Sequence, residues 1–285
     1  MKIGLFIVGF NRDAPITAEN YSQFTNSNHD LSVYVASWDC YDINRQTHQL
    51  DTTPSNVYDK MTAVFGDKLK NIWVGDAVKF YNNDLKYNRK LVSDYLKEDE
   101  CSEEIQKHNG YPYIQRVFDQ AYVWKLAYEL ASPDEFNSFD VVIKIRADMS
   151  FIGKLPIPFW NAEDGIHVGS HWWQFHGNDI FGRLPVYKIS DQLAWGRPKF
   201  MKKYFSYYDV LPQIIQIVRN PHNVFEYTCE HLLAVYLQLH DFAHYHENDF
   251  AMKLHKHGFP EMIQHHTSTG ISRYDYYDLM TKGIR

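Results

Sequence analysis

Unbroken apolar runs, rather than alternation, mark the strands of this chain. Residues 3–10 (Ile-Gly-Leu-Phe-Ile-Val-Gly-Phe) predict a parallel strand buried on both faces. A polar turn at Asn11-Arg12-Asp13 and a short helix around 18–25 follow it. Residues 31–37 predict a second strand, ending at Trp38-Asp39. Residues 40–56 are polar and threonine-rich and read as a loop, and 57–104 give a mixed signal with a strand near 71–74 and a charged helix over 84–97.

Helical spacing is clearest over 113–130, where the apolar positions Val117, Ala121, Trp124, Leu126, Ala127 and Leu130 repeat at helical spacing. Ser132-Pro133 reads as its stop. Residues 139–145 form the strongest strand, rich in Val and Ile, and lead into Arg146-Ala147-Asp148. A Pro- and Gly-rich loop over 153–165 precedes short strands at 165–169 and 190–196. Helices are expected over 198–208, with Pro198 suited to a first turn, and over 225–239, before a His- and Tyr-rich tail.

This order predicts an α/β fold with a mostly parallel central sheet flanked by helices. No repeat or low-complexity linker divides it, so 1–285 reads as one domain with an insertion around 40–110. Ligands of such sheets bind beyond the carboxyl ends of the strands. Phe10-Asn11-Arg12, Trp38-Asp39 and Arg146-Ala147-Asp148 are therefore expected to converge on one crevice.

Composition narrows the field. At 45% hydrophobic and 22% charged the chain is an ordinary globular one. Aromatic residues make up 16%, which suits either stacking on pyranose faces or filling of the core. The formal charge of −6 gives no general basic field for nucleic acid. Cys40, Cys101 and Cys229 lack disulfide or metal spacing. No apolar run is long enough for a membrane span, and a cytoplasmic protein is expected. Gly4 and Gly9 are too far apart for a G-x-G-x-x-G turn, and no P-loop, G-x-S-x-G, H-E-x-x-H or paired-cysteine pattern occurs.

The candidate chemistry centres on Asp148. A carboxylate just past a buried strand can ligate a hard cation that bridges a diphosphate, or it can simply cap the turn. Arg146, two positions earlier, could add a fork of donors to the same ligand. Trp172-Trp173 would make a sugar platform for an acceptor on an exposed loop, or would pack a loop over the core. His244 and His246 alternate as on a strand.

Four segments carry a resemblance. Asp-Val-Val-Ile-Lys-Ile-Arg-Ala-Asp-Met-Ser-Phe (140–151) resembles the "YDVVIRTRPDLLF" element of small bacterial and viral glycosyltransferase-like proteins. Val33 through Trp38 resembles their second strand, 189–196 their "SDQFAFG" element, and Glu230-His231-Leu232-Leu233 their "PExLL" helix start. The resemblance skips roughly 40–110.

It implies a GT-A-like fold that binds a nucleotide-diphospho-sugar donor, usually with Mn²⁺ or Mg²⁺. Asp148 would match the second Asp of the DxD signature, and Arg146 stands at the place of the first. Either a metal or the guanidinium could then neutralise the diphosphate. Phe10, Asn11, Arg12, Trp38 and Asp39 would surround the nucleotide. Lys125 and Gln115 would lie on a helix near the donor, unless solvated. Glu230 is the implied catalytic base, with Asp191 as rival base or acceptor holder. His265 and His266 would supply the metal or diphosphate from the tail, or serve in packing. The implied acceptor is a glycan or surface polysaccharide. A hydroxymethylated DNA base is the alternative acceptor, which the negative charge disfavours. A catalytically silent binding protein of the same fold is the other alternative.

Overall fold

The computed structural model describes residues 1–12, 14–43, 50–77, 79, 113–152, 165–178, 185–218, 229–239, 244–247, 250–254 and 262–266. The first part holds β1 (Lys2–Gly9), α1 (Ser22–Thr25), β2 (Asp30–Trp38), β3 (Cys40–Ile43), β4 (Leu50–Pro54), α2 (Val57–Phe65) and β5 (Leu69–Gly75). Then come α3 (Tyr113–Glu129), α4 (Pro133–Asn137), β6 (Val141–Arg146), β7 (Met149–Ile152), β8 (Ile166–Asn178) and β9 (Pro185–Gly196). The last part holds α5 (Pro198–Phe205), α6 (Tyr207–Val218), α7 (Cys229–Leu239), β10 (His244–Glu247), β11 (Phe250–Leu254) and β12 (Met262–His266).

A seven-stranded sheet in the order β10-β8-β9-β6-β1-β2-β5 is the centre of the fold. Neighbours pair in parallel except at β9, which runs against both β6 and β8. All strands but β9 therefore point the same way. The expected α/β architecture with a mostly parallel sheet is what the chain forms.

The continuous apolar runs are explained by burial on both faces. Leu5, Ile7, Val33, Val35, Ile143 and Ile145 point to one side, where they meet Tyr21, Phe24 and the Met61 face of α2. Phe6, Val8, Tyr34, Ala36 and Val142 point to the other, against Trp124 of α3, Tyr204 and Tyr207, and Leu233 of α7. By the strand period of two, Lys144 and Arg146 share the side of Val142.

Several elements differ from expectation. Residues 40–56 hold the β3–β4 antiparallel hairpin rather than only a loop, because the two polar strands pair with each other. The mixed region contains α2, whose Val57, Met61 and Phe65 are buried. Ser132-Pro133 begins a helix as well as ending one. The Ser132 side chain accepts from the Glu135 amide at 3.2 Å, and Pro133 takes the first turn of α4. The 198–208 helix breaks at Ser206 into α5 and α6. Trp172 and Trp173 lie within the long strand β8, not on a loop. The strand ends at Arg146, so Asp148 sits in a two-residue turn into β7, which pairs with β11. The charged helix expected over 84–97 and the loop over 153–164 fall outside the described residues.

Candidate active site

Register brings the strand ends together. Val8 stands opposite Arg146, Gly9 opposite Ser37, and Trp38 opposite Gly75. The Ala147 amide donates to the Val8 carbonyl at 2.8 Å, tying the Asp148 turn to the end of β1. After Gly9 (φ 97°) the chain folds back so that Arg12 adopts a left-handed φ of 51°. Asn11 fastens this bend, its Nδ2 donating to the Arg12 carbonyl at 3.0 Å and to the Ala14 carbonyl at 3.1 Å.

The bend delivers the Arg12 guanidinium to Asp148, where Nη1 donates to Oδ2. Arg146 forks onto the same carboxylate, Nε to Oδ1 at 2.9 Å and Nη2 to Oδ2 at 2.6 Å. Its third nitrogen, Nη1, reaches Asp191 Oδ2 at 3.2 Å. Asp191 lies on β9 two residues before Leu193, the partner of Ile145, and because β9 runs antiparallel to β6 it stands beside the carboxyl end of β6. Gln120 of α3 donates to Asp191 Oδ2, and the Lys144 amine donates to the Asp191 carbonyl.

Electrostatics follow from this packing. Burial alone would raise the Asp148 carboxyl, but Arg146 and Arg12 outweigh it and hold the group below its usual value. Burial likewise works against the charged form of Arg146, and Asp148 and Asp191 more than restore it. Lys144 is fully buried, with its amine 4.1 Å from the Trp124 ring centroid. Burial pushes its pKa down to about 8, opposed by Asp191 and assisted by Arg146. Burial pushes the neighbouring Cys229 thiol well up, with Asp191 and Glu230 adding to the effect. Glu230, in the first turn of α7, is half-buried and raises the proton affinity of Arg146.

The expected site residues thus divide. Arg12, Arg146, Asp148 and Asp191 meet in one ionic cluster, with Glu230 in its field. Phe10 and Trp38 stack at 5.7 Å, and Trp38 meets Trp73 edge-on at 5.1 Å, making an aromatic wall at the ends of β1, β2 and β5. Asn11 is 1% exposed, and among the described residues its Oδ1 accepts no hydrogen bond. Asp39 closes a turn, its Oδ1 accepting from the Ala77 amide at 3.0 Å. Lys125 is turned away to α6, where it pairs with Asp209 at 2.7 Å. The side chains of Gln115, Trp172, Trp173, His265 and His266 lie outside the described residues.

Gln120 and Lys144 were not singled out from sequence. Lys144 carried a signal all the same: it is the one charge inside the apolar run Val141–Ile145. Gln120 stands one helical turn before the buried Trp124, on the same face.

The donors among the described residues do not by themselves suit a divalent cation. Both oxygens of Asp148 accept from guanidinium groups. Among the described residues no group of three His, Cys, Asp or Glu side chains is placed to hold a metal. Among the same residues no helix is long and apolar enough to cross a membrane.

No protein-family model matches the chain, and no curated protein does. Among solved structures, mouse xyloside xylosyltransferase 1 in its apo form is similar at a TM-score of 0.43 and 8% identity, over 87% of this chain and 85% of that one. An active-site mutant of LgtC is similar at a TM-score of 0.42 and 12% identity, over 82% of this chain and 69% of that one. Neither likeness bears on which side chains act.

Proposed function

We propose that this chain is a glycosyltransferase that moves a sugar from a nucleotide-diphospho-sugar to a hydroxyl group of a glycan or surface polysaccharide, with residues 1–285 forming one GT-A-like domain. The observation that carries the reading is the meeting of Arg12, Arg146, Asp148 and Asp191 at the carboxyl edge of a mostly parallel sheet. That edge is where such sheets bind ligands. These are also the residues, from three separate segments, that the family resemblance singles out.

In this reading half-buried Phe10, backed by the buried Trp38 ring, takes the nucleotide at the ends of β1 and β2. The guanidinium groups offset the charge that gathers on the departing nucleoside diphosphate. Glu230 is the base. As the acceptor oxygen bonds to the anomeric carbon, its proton passes to the Glu230 carboxylate. The bond from that carbon to the diphosphate oxygen breaks, and its electron pair leaves on the nucleoside diphosphate, inverting the centre. Asp191 suits a positioning role better, because Gln120 and Arg146 already occupy its carboxylate.

The test is turnover of a panel of UDP- and GDP-sugars, with and without Mn²⁺, by wild type and Asp148→Ala. Turnover that falls sharply in the variant is expected. Unchanged turnover removes Asp148 from the site. No turnover of any donor, with nucleotide binding retained, leaves a silent binding protein, the reading that Arg146 at the first DxD position would favour. Salt-sensitive binding to duplex DNA would move the acceptor toward nucleic acid.

A further inference from the structure

Within the Arg12–Asp148–Arg146–Asp191 cluster the cations lie outside and the anions inside. The Arg12 and Arg146 side chains keep 11% and 18% of their exposure, whereas Asp148 and Asp191 keep 2% and 3%. What this site offers to the crevice is therefore guanidinium, not carboxylate. We propose that Arg12 and Arg146 take a diphosphate directly, without a bridging cation, and that Asp148 orients the two guanidiniums instead of ligating a metal. The inference rests on the nucleotide-sugar reading for the identity of the diphosphate, but its own content is a metal-independent site for a pyrophosphate-like anion.

Three observations support it. A cation held by both oxygens of Asp148 would compete with the three guanidinium N–H groups that they already accept, two from Arg146 and one from Arg12. It would leave two guanidiniums beside a new positive charge, in a place where burial already works against charge. A diphosphate needs no such exchange. Arg146 has five N–H groups, of which Asp148 takes two and Asp191 one nitrogen, and a planar fork suits phosphate oxygens. Finally, Arg12 holds a left-handed φ of 51° to reach Asp148. Backbone held in that region by its surroundings clusters at ligand sites.

The test is calorimetric titration of inorganic pyrophosphate, UDP and GDP into the intact protein, first in EDTA and then in Mn²⁺, with free Mn²⁺ followed by electron paramagnetic resonance. Pyrophosphate and at least one nucleoside diphosphate are expected to bind in EDTA, and the protein alone is expected to leave the free Mn²⁺ signal undiminished. Arg146→Lys keeps the charge but loses the fork, and should weaken binding by roughly tenfold or more. Asp148→Asn should weaken it too, without creating or removing a response to Mn²⁺. Binding that appears only with Mn²⁺, or a Mn²⁺ site lost in Asp148→Asn, overturns the inference and leaves the glycosyltransferase reading standing. Failure of pyrophosphate to bind under either condition overturns it as well. Pyrophosphate binding in EDTA while every nucleoside diphosphate fails upholds the anion site and sinks the nucleotide-sugar reading.

Discussion

Arg146 donates through Nε and Nη2 to the two oxygens of Asp148, the residue two positions after it, at 2.9 and 2.6 Å. A fork of this kind inside a buried turn makes the Asp148 charge part of the fold's stability. The folded carboxyl titrates below its ordinary value of 3.8. Its contribution is therefore complete above about pH 4 and is lost as pH falls through the folded value. Asp148→Asn should destabilise the protein by about 3–5 kcal/mol at neutral pH, because two guanidiniums lose their buried partner. Thermal melts of wild type and variant between pH 6 and pH 3 should show the gap narrowing only below about pH 4. A gap that stays constant across that range would mean the carboxylate charge is not what is lost.

Lys144 predicts a slope of the same sign in a higher pH window. Its amine has a folded value of about 8 against an ordinary 10.5. Between those values the unfolded chain binds more protons than the folded one, so this group makes stability rise with pH. The shift corresponds to about 3 kcal/mol that the folded state forgoes at neutral pH. Lys144→Met removes this slope while also losing the bond to the Asp191 carbonyl. Chemical denaturation at pH 7 and at pH 10 should show wild type gaining on the variant as pH rises. Equal gains in both would place the amine in contact with water.

How much of this was legible in the sequence depended on where each residue's partners lie. β1, β2 and β6 stood out because strands buried on both faces must be apolar throughout, and their ends named the crevice. The β3–β4 hairpin did not, because its polar strands pair only with each other and leave no apolar stripe. Ser132-Pro133 serves as stop and start at once, and local pattern cannot separate the two. β8 runs past Gly169 through Trp172 and Trp173 to Asn178, pairing with β9 at Ser170, Phe175 and Asn178, where no apolar run marks a strand. Within the site, Asp148 and Arg146 were visible as neighbours. The Gln120 to Asp191 bond spans 71 positions and depends on how α3 crosses the sheet, which no local spacing reveals.

Glu230 separates chemistry from binding. It lies half-buried in the first turn of α7, where the helix dipole favours its carboxylate, and its charge raises the proton affinity of Arg146. Glu230→Gln keeps the shape and removes the base. Transfer should fall by about 10²–10⁴-fold in kcat, while affinity for nucleoside diphosphate stays within about threefold of wild type. Steady-state kinetics with a competent donor and acceptor, set beside calorimetry with the diphosphate alone, separates the two effects. Equal losses in both would make Glu230 part of the donor site.

Arg12 sets backbone strain against an ion pair. A non-glycine residue at its φ of 51° costs about 1–2 kcal/mol, and the bond from Nη1 to Asp148 offsets this. Removing the side chain loses a charge-assisted bond worth about 1.5–3 kcal/mol, but what replaces it decides how much strain remains. Arg12→Ala keeps the unfavourable conformation with nothing to hold it, whereas Arg12→Gly adopts that φ freely. Glycine also loosens the unfolded chain, which cancels part of its advantage. Arg12→Gly should therefore lie below wild type yet above Arg12→Ala by roughly 0.5–1 kcal/mol in urea denaturation. Both variants should lose diphosphate affinity equally, because the guanidinium is absent from each. If alanine is the more stable of the two, the bend at Arg12 is not under strain, and the ion pair alone sets its position.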